Sequence, residues 1–174
     1  MKIFGLTGWS GSGKTTLVRH LVPALIGRGL TVSTMKHAHH GFDMDKPGKD
    51  SYVHREAGAL EVMISSQNRW VLQHENRGSP ELSMEELLQY MTPVDLVLVE
   101  GYKTYPHDKL EVYRAATGKP LMAPENASIV AVATDAPDDL RLDVPVLDLN
   151  DEEAIADFVI GRCGLLKVRT HGAA

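Results

Sequence analysis

Residues 8–15 read Gly8-Trp9-Ser10-Gly11-Ser12-Gly13-Lys14-Thr15, a glycine-rich run that ends in a cation and a hydroxyl. Each residue type has a mechanical reason to stand where it does. Gly8, Gly11 and Gly13 let the backbone turn inward, so that successive amide N–H groups meet an anion that side chains would obstruct. Trp9, Ser10 and Ser12 fill the turns between them. Lys14 supplies a mobile cation for β- and γ-phosphates, Thr15 a hydroxyl for magnesium, and Thr16, next along, a contact for the α-phosphate. A helix opening at Lys14 directs the positive end of its dipole at the same place. The stretch predicts a loop that holds the phosphates of a purine nucleoside triphosphate with Mg2+, set between a strand and a helix.

The flanks agree. Lys2 to Thr7 is an apolar run of strand length, and Leu17, Val18, Leu21, Val22, Leu25 and Ile26 recur at helical spacing until Gly27 and Gly29. Pro23 within that helix lacks a donor and clashes one turn back, which predicts a kink or a broken last turn. Leu30 to Met35 reads as a second strand. Residues 36–49 are polar and aperiodic, with Gly41, Pro47 and Gly48, and predict a long loop at that strand's end. A short helix over Ser51 to Ala59 precedes two strands, Leu60 to Ser65 and Arg69 to Gln73, joined by a polar turn as a hairpin. Ser83 with Glu86 forms a capping box opening a helix to Tyr90, and Asp95 to Val99 is an unbroken apolar strand expected to lie centrally. Further strands follow at Leu110 to Tyr113, Ile129 to Ala133 and Val144 to Leu147. A last helix runs from Asp151 to about Ile160 with Asn150 as its cap, and the tail after Gly164 is expected to fray. Strand and helix alternate, so the fold class is α/β: a P-loop NTPase-like, largely parallel sheet with helices on both faces and a β-hairpin insertion. The 174 residues suit one domain over residues 1–174.

Composition narrows the function classes. With 43% hydrophobic and 24% charged residues the chain is neither a disordered tail nor a disulfide scaffold, and the lone Cys163 has no internal partner. Met1 to Leu6 is too short for a signal peptide and no run is long enough for a membrane span, so a cytoplasmic protein without a membrane partner is expected. The net charge of −5 argues against nucleic acid. Lys36, Lys46, Lys49 and Arg55 form a local basic cluster, either part of the phosphate site or a solvated loop.

A nucleotide site of this kind needs a carboxylate at the end of a neighbouring buried strand, on the magnesium side. Glu100 closes Asp95-Leu96-Val97-Leu98-Val99 and is followed by Gly101, whose freedom suits backbone approaching the γ-phosphate; Asp95, at the strand's other end, is structural. Asp50 is the candidate second magnesium-side carboxylate. His37, His39 and His40 offer imidazole to zinc or nickel, or form a polar switch-like loop or partner surface. His20, His54, His74, His107 and His171 have no such context. Thr134-Asp135 follows an apolar strand at a place where an Asp accepts from the guanine N1–H and amine; a solvated turn acid is the alternative, since Ala131-Val132-Ala133 stands where an Asn-Lys-x-Asp pattern would begin. Trp9 and Trp70 read as packing residues rather than stacking platforms.

Together Trp9 to Thr16, Lys36-His37-Ala38-His39-His40, Asp45 to Tyr52, Leu98 to Tyr102 and Ala131 to Asp135 resemble, in kind and spacing, the MobB family of molybdopterin-guanine dinucleotide biosynthesis adapters. The resemblance covers nearly the whole chain, departing at Ala38, where relatives often carry Thr. It implies a GTP-binding protein of a dimeric P-loop branch, a homodimer with weak hydrolysis and a supporting role, while the residues read above make Lys14 and Glu100 the candidate catalytic residues and Thr15, Asp50 and Glu100 the candidates to hold Mg2+. Its implied partner is MobA, the guanylyltransferase that joins GMP to molybdopterin. Two other classes stay open: a metallochaperone-type GTPase using the His37, His39, His40 loop, and a small-molecule kinase, for which the Arg69 and Arg77 region would have to supply a lid.

Overall fold

The computed structural model describes residues 1–38 and 41–165. The chain folds into two compact units, one of residues 1–37 with 93–174 and the other of residues 38–92. Among the described residues no helix is long and apolar enough to cross a membrane.

The first unit is built on a six-stranded sheet. Its strands are β1 (Lys2–Thr7), β2 (Val32–Lys36), β5 (Leu96–Glu100), β6 (Lys109–Tyr113), β7 (Ile129–Thr134) and β8 (Val146–Asp148), in the order β2-β5-β1-β6-β7-β8, all paired in parallel. The register sets Phe4 beside Leu98 and Leu6 beside Leu110, so one face is a continuous apolar layer. Helices α1 (Lys14–Gly27) and α4 (Glu152–Cys163) bury Leu17, Leu21, Leu25, Ile155 and Val159 on it. At roughly 25 cal/mol per Å2 this burial is the main favourable term holding the sheet. Pro23 does not break α1, which runs on to Gly27: fully buried Leu21 and Leu25 on either side of it keep the last turn in register.

The opposite face carries Gly5, Lys109 and Glu111. A side chain at Gly5 would collide with the His107 ring, at 2.5 Å, so His107 lies directly on this layer. Lys109 and Glu111 are fully buried. The Lys109 ammonium donates to the carbonyls of Tyr105 and His107, and Glu111 accepts from the N–H groups of Met122 and Ala123 at 2.8–3.0 Å. Burial lowers the lysine pKa and raises the glutamate's, the hydrogen bonds to Glu111 opposing the latter.

β5 is an interior strand with four fully buried residues, as its unbroken apolar run requires, although β1 lies nearer the middle. Asp95, before it, accepts from the Thr31 N–H and hydroxyl at 2.8 and 2.7 Å, a structural role far from the strand's carboxyl end.

The second unit holds α2 (Asp50–Glu56), an antiparallel hairpin of β3 (Glu61–Ser65) and β4 (Trp70–His74), and α3 (Met84–Leu88). Both halves of the Ser83–Glu86 capping box are formed. Trp70 is not a packing residue: it is 64% exposed, with Met63, Ile64, Val71 and Leu72 also exposed on the hairpin. Arg55 is drawn off the basic cluster by a bidentate contact to Asp45 and by Glu56 at 3.1 Å.

The cap of α4 is Asp151, not Asn150: the Asp151 carboxylate accepts from Ala154 N–H at 2.9 Å, while Asn150 turns back to Asp148. Asp151→Ala is therefore expected to cost about 1 kcal/mol, and Asn150→Ala to stay within about 0.5 kcal/mol, read as shifts in urea midpoint. Equal losses would restore Asn150 as the cap.

Candidate functional site

The phosphate loop leaves β1 at Thr7 and enters α1 at Lys14, at the carboxyl edge of the sheet where parallel folds bind ligands. Gly8 has φ +138°, and a Cβ there would meet the Val112 carbonyl oxygen at 2.4 Å and Ser12 Oγ at 2.8 Å. The loop therefore lies flat on the end of β6, in a conformation L-residues rarely adopt.

Ser12 N–H bonds back to the Trp9 carbonyl at 3.2 Å, and Leu17 N–H to Gly13, but the N–H groups of Gly11 and Gly13 and of the first turn, Lys14 to Thr16, find no acceptor among the described residues. Helix geometry guarantees the orphan donors of a first turn, and the glycines extend the row. Ser12 Oγ is buried and without a hydrogen-bond partner in the same loop. A row of unsatisfied donors beside a glycine that no side chain can replace fits an oxyanion group such as phosphate.

A cleft of about 400 Å3 opens here, lined by Ser10, Gly11, Gly13, Lys14, Thr15, Thr16, Lys36 and Glu100. The Lys14 ammonium donates to the carbonyls of Gly8 and Trp9 at 3.0 and 2.9 Å, lying across the loop. Burial holds its pKa below the ordinary lysine value; Lys103 and Lys36 push the same way and Glu100 opposes them. Glu100, at the end of β5, stands 3.9 Å from Lys36 and is 19% exposed. It faces the same cleft as Thr15, so a hydroxyl and a carboxylate suited to a hard cation share one wall.

The structure thus brings together Gly8 to Thr16, Glu100 and Lys36. Gly101, with φ +96°, makes room for His37, whose Cβ would lie 2.9 Å from a side chain there. Tyr102 then turns inward, 7% exposed, its ring 4.9 Å from His37 and 5.0 Å from Tyr105. Trp9 donates its indole N–H to Pro120 O at 2.8 Å, with the Lys103 and Lys119 ammoniums 4.9 and 5.8 Å from its ring centre.

Asp50 belongs to the other unit, at the first position of α2, where it lines a cleft with Lys49, Ser51, His54 and Val62. His39, His40 and His171 lie outside the described residues. Among the described ones no three His, Cys, Asp or Glu side chains gather to hold a metal. Arg77 is not free to act as a lid, since its guanidinium donates to the carbonyls of Arg55 and Ala59.

Thr134 ends β7 and Asp135 follows it, and Asp135 is engaged: the Arg114 guanidinium donates to its Oδ2 at 2.5 Å. Arg114 follows β6 and also donates through Nε to the carbonyl of Ser12, inside the phosphate loop, at 3.2 Å. It is the residue that sequence reading passed over. Its signal is positional: it follows the carboxyl end of a buried parallel strand, as Gly8 and Gly101 do.

The model of the family described as "Molybdopterin guanine dinucleotide synthesis protein B" matches residues 3–135. The chain belongs to the MobB family. It is 44% identical over 161 residues to the molybdopterin-guanine dinucleotide biosynthesis adapter protein of Escherichia coli K12, covering 91% of both chains. The adapter protein of the same name from Haemophilus influenzae is 43% identical over 160 residues, 90% of this chain and 86% of that one. The crystal structure of Bacillus subtilis MobB superposes with a TM-score of 0.71 at 23% identity, over 94% of this chain and 98% of that one, which shows the shared fold. As a MobB protein, the chain has a P-loop nucleotide-binding fold, and its loop geometry suits that fold.

Lys14→Ala removes the ammonium that lies across the loop, and a charge-assisted contact of this kind is worth about 1.5–3 kcal/mol, or roughly ten- to a hundredfold in affinity. Calorimetric titration with GTP and Mg2+ is expected to show that loss for Lys14→Ala, and no measurable binding for Gly8→Ala, whose added carbon has no place against backbone. Unchanged affinity in either would remove this loop as the phosphate site.

Proposed function

We propose that this chain is a GTP-binding adapter that supports formation of molybdopterin guanine dinucleotide by a MobA-type guanylyltransferase, acting as a homodimer and turning GTP over slowly. The N–H groups of Gly11, Gly13 and Lys14 to Thr16, which find no acceptor among the described residues and share one cleft with the Lys14 ammonium and Glu100, carry the nucleotide half of this reading. The name shared by its relatives in Escherichia coli and Haemophilus influenzae supports the adapter half. Thr15 and Glu100 would hold Mg2+, which supplies charge neutralisation between phosphate oxygens.

Slow turnover follows from the segment after Glu100. Gly101 and Tyr102 are committed to packing on His37, so no side chain from them is available to orient an attacking water. Hydrolysis is expected below about one per minute, by comparison with unassisted GTPases. A purified protein turning over many times per second would make it an enzyme in its own right. The exposed apolar side chains of the β3–β4 hairpin, Met63, Ile64, Trp70, Val71 and Leu72, offer a surface for self-association. The adapter role is tested by measuring dinucleotide formation by the partner transferase with and without this protein at limiting GTP, where absence of stimulation would sink it.

Base choice is assigned to Asp135, whose Oδ1 accepts no hydrogen bond among the described residues. A carboxylate there accepts from guanine and meets an acceptor on adenine, a mismatch of a few kcal/mol, so GTP should exceed ATP by roughly a hundredfold. Asp135→Asn should shift the order toward xanthine nucleotides in competition binding with GTP, ATP and XTP; an unchanged order would leave Asp135 a turn residue.

A further inference from the structure

We propose that Arg114 forms the wall of the nucleoside subsite, presenting a guanidinium face to the base while its in-plane donors tie the phosphate loop to Asp135. The inference rests on the nucleotide reading above and adds to it a residue and a place.

The place is a second cleft, of about 160 Å3, lined by Gly13, Thr16, Leu17, Arg114, Leu149 and Asn150 among others. It shares Gly13 and Thr16 with the phosphate cleft, so the two meet at the start of α1. In a triphosphate held along Gly11 to Thr16, with Lys14 and Glu100 at the terminal phosphate, the α-phosphate lies toward Thr16, and its nucleoside continues into the second cleft. Leu17, 3% exposed, and Leu149, 8% exposed, give that cleft an apolar floor.

Arg114 is fixed there by two bonds in the plane of its guanidinium, Nε to Ser12 O at 3.2 Å and Nη1 to Asp135 Oδ2 at 2.5 Å. All guanidinium donors lie in that plane, so anchoring two of them sets its orientation and leaves its faces for packing, the arrangement in which arginine stacks on aromatic rings. Asp135 thereby has two duties, holding Arg114 with Oδ2 and offering Oδ1 to the edge of the base. The bond to Ser12 has a further consequence. In a trans peptide the C=O of Ser12 and the N–H of Gly13 point in opposite directions, so drawing the carbonyl to Arg114 turns the Gly13 N–H away from it, toward the phosphate cleft.

The test separates the nucleoside from the phosphates. Binding of GTP, ATP and inorganic tripolyphosphate, each with Mg2+, is measured by calorimetry on the wild type, Arg114→Ala and Arg114→Lys. Arg114→Ala is expected to weaken tripolyphosphate a few-fold, through the Gly13 amide, and GTP and ATP roughly tenfold more than that, because a guanidinium face packs on either purine. Arg114→Lys, which keeps a donor for Ser12 but no planar face, should recover tripolyphosphate and not the nucleotides. Retained tripolyphosphate binding also reports that each variant is folded. Equal losses for tripolyphosphate and GTP, no loss for either, or recovery of GTP by lysine would overturn the proposal and leave Arg114 a brace. A wild type that binds tripolyphosphate no less tightly than GTP would remove the nucleoside subsite while the phosphate loop stands. Failure of the wild type to bind either would fall on the nucleotide reading itself, and the proposal with it.

Discussion

The first turn of α1 carries backbone N–H groups that nothing among the described residues accepts, and the glycines before it lengthen that row. Orphan donors tolerate solvent or an anion and little else, so their end of the helix has to stay at an open edge of the domain. The parallel sheet supplies that edge: β1, β5 and β6 all finish there, and the apolar layer from Phe4 to Val159 holds α1 against them. The flat seating of Gly8 on the Val112 carbonyl ties the loop to the sheet with no room for adjustment. Glu100, Lys36 and Arg114 reach the loop because they stand at or just beyond the carboxyl ends of β5, β2 and β6.

Charge at this edge runs against that of the chain as a whole. The protein carries a net −5, yet at this edge Lys103 and Lys36 stand near enough to Lys14 to add to the lowering of its pKa that burial chiefly causes, with Glu100 opposing. Such a cluster costs stability by self-repulsion, and a bound polyanion relieves it, so it favours triphosphate over less charged ligands. The site is local, and Arg55, in the other unit, has its charge answered by carboxylates.

The opposite face of the sheet follows a different logic. Lys109 and Glu111 are fully buried and each is satisfied by backbone, the first by carbonyls of residues 105 and 107, the second by N–H groups of residues 122 and 123. Unpaired burial of either charge would be prohibitive, so these contacts pin the segments that lead to Tyr102 on one side and Pro120 on the other. Through Pro120 the second of them reaches Trp9 in the phosphate loop.

The sequence by itself determined the phosphate loop, the alternation of strand and helix, the hairpin and the place of Glu100, because these rest on local rules: glycine freedom, apolar period, capping chemistry and the end of a buried run. It also misled where neighbours outvote local preference. Pro23 stays inside a helix because Leu21 and Leu25 are buried beside it, Asp151 caps α4 while Asn150 is bonded to Asp148, and Trp70 stands exposed with its apolar neighbours on the hairpin. What only the tertiary structure decided are the relations across strands. Arg114 and Asp135 are 21 positions apart and Arg114 and Ser12 are 102; no periodicity spans such gaps, and only the β1-β6-β7 order of the sheet lays the three side by side.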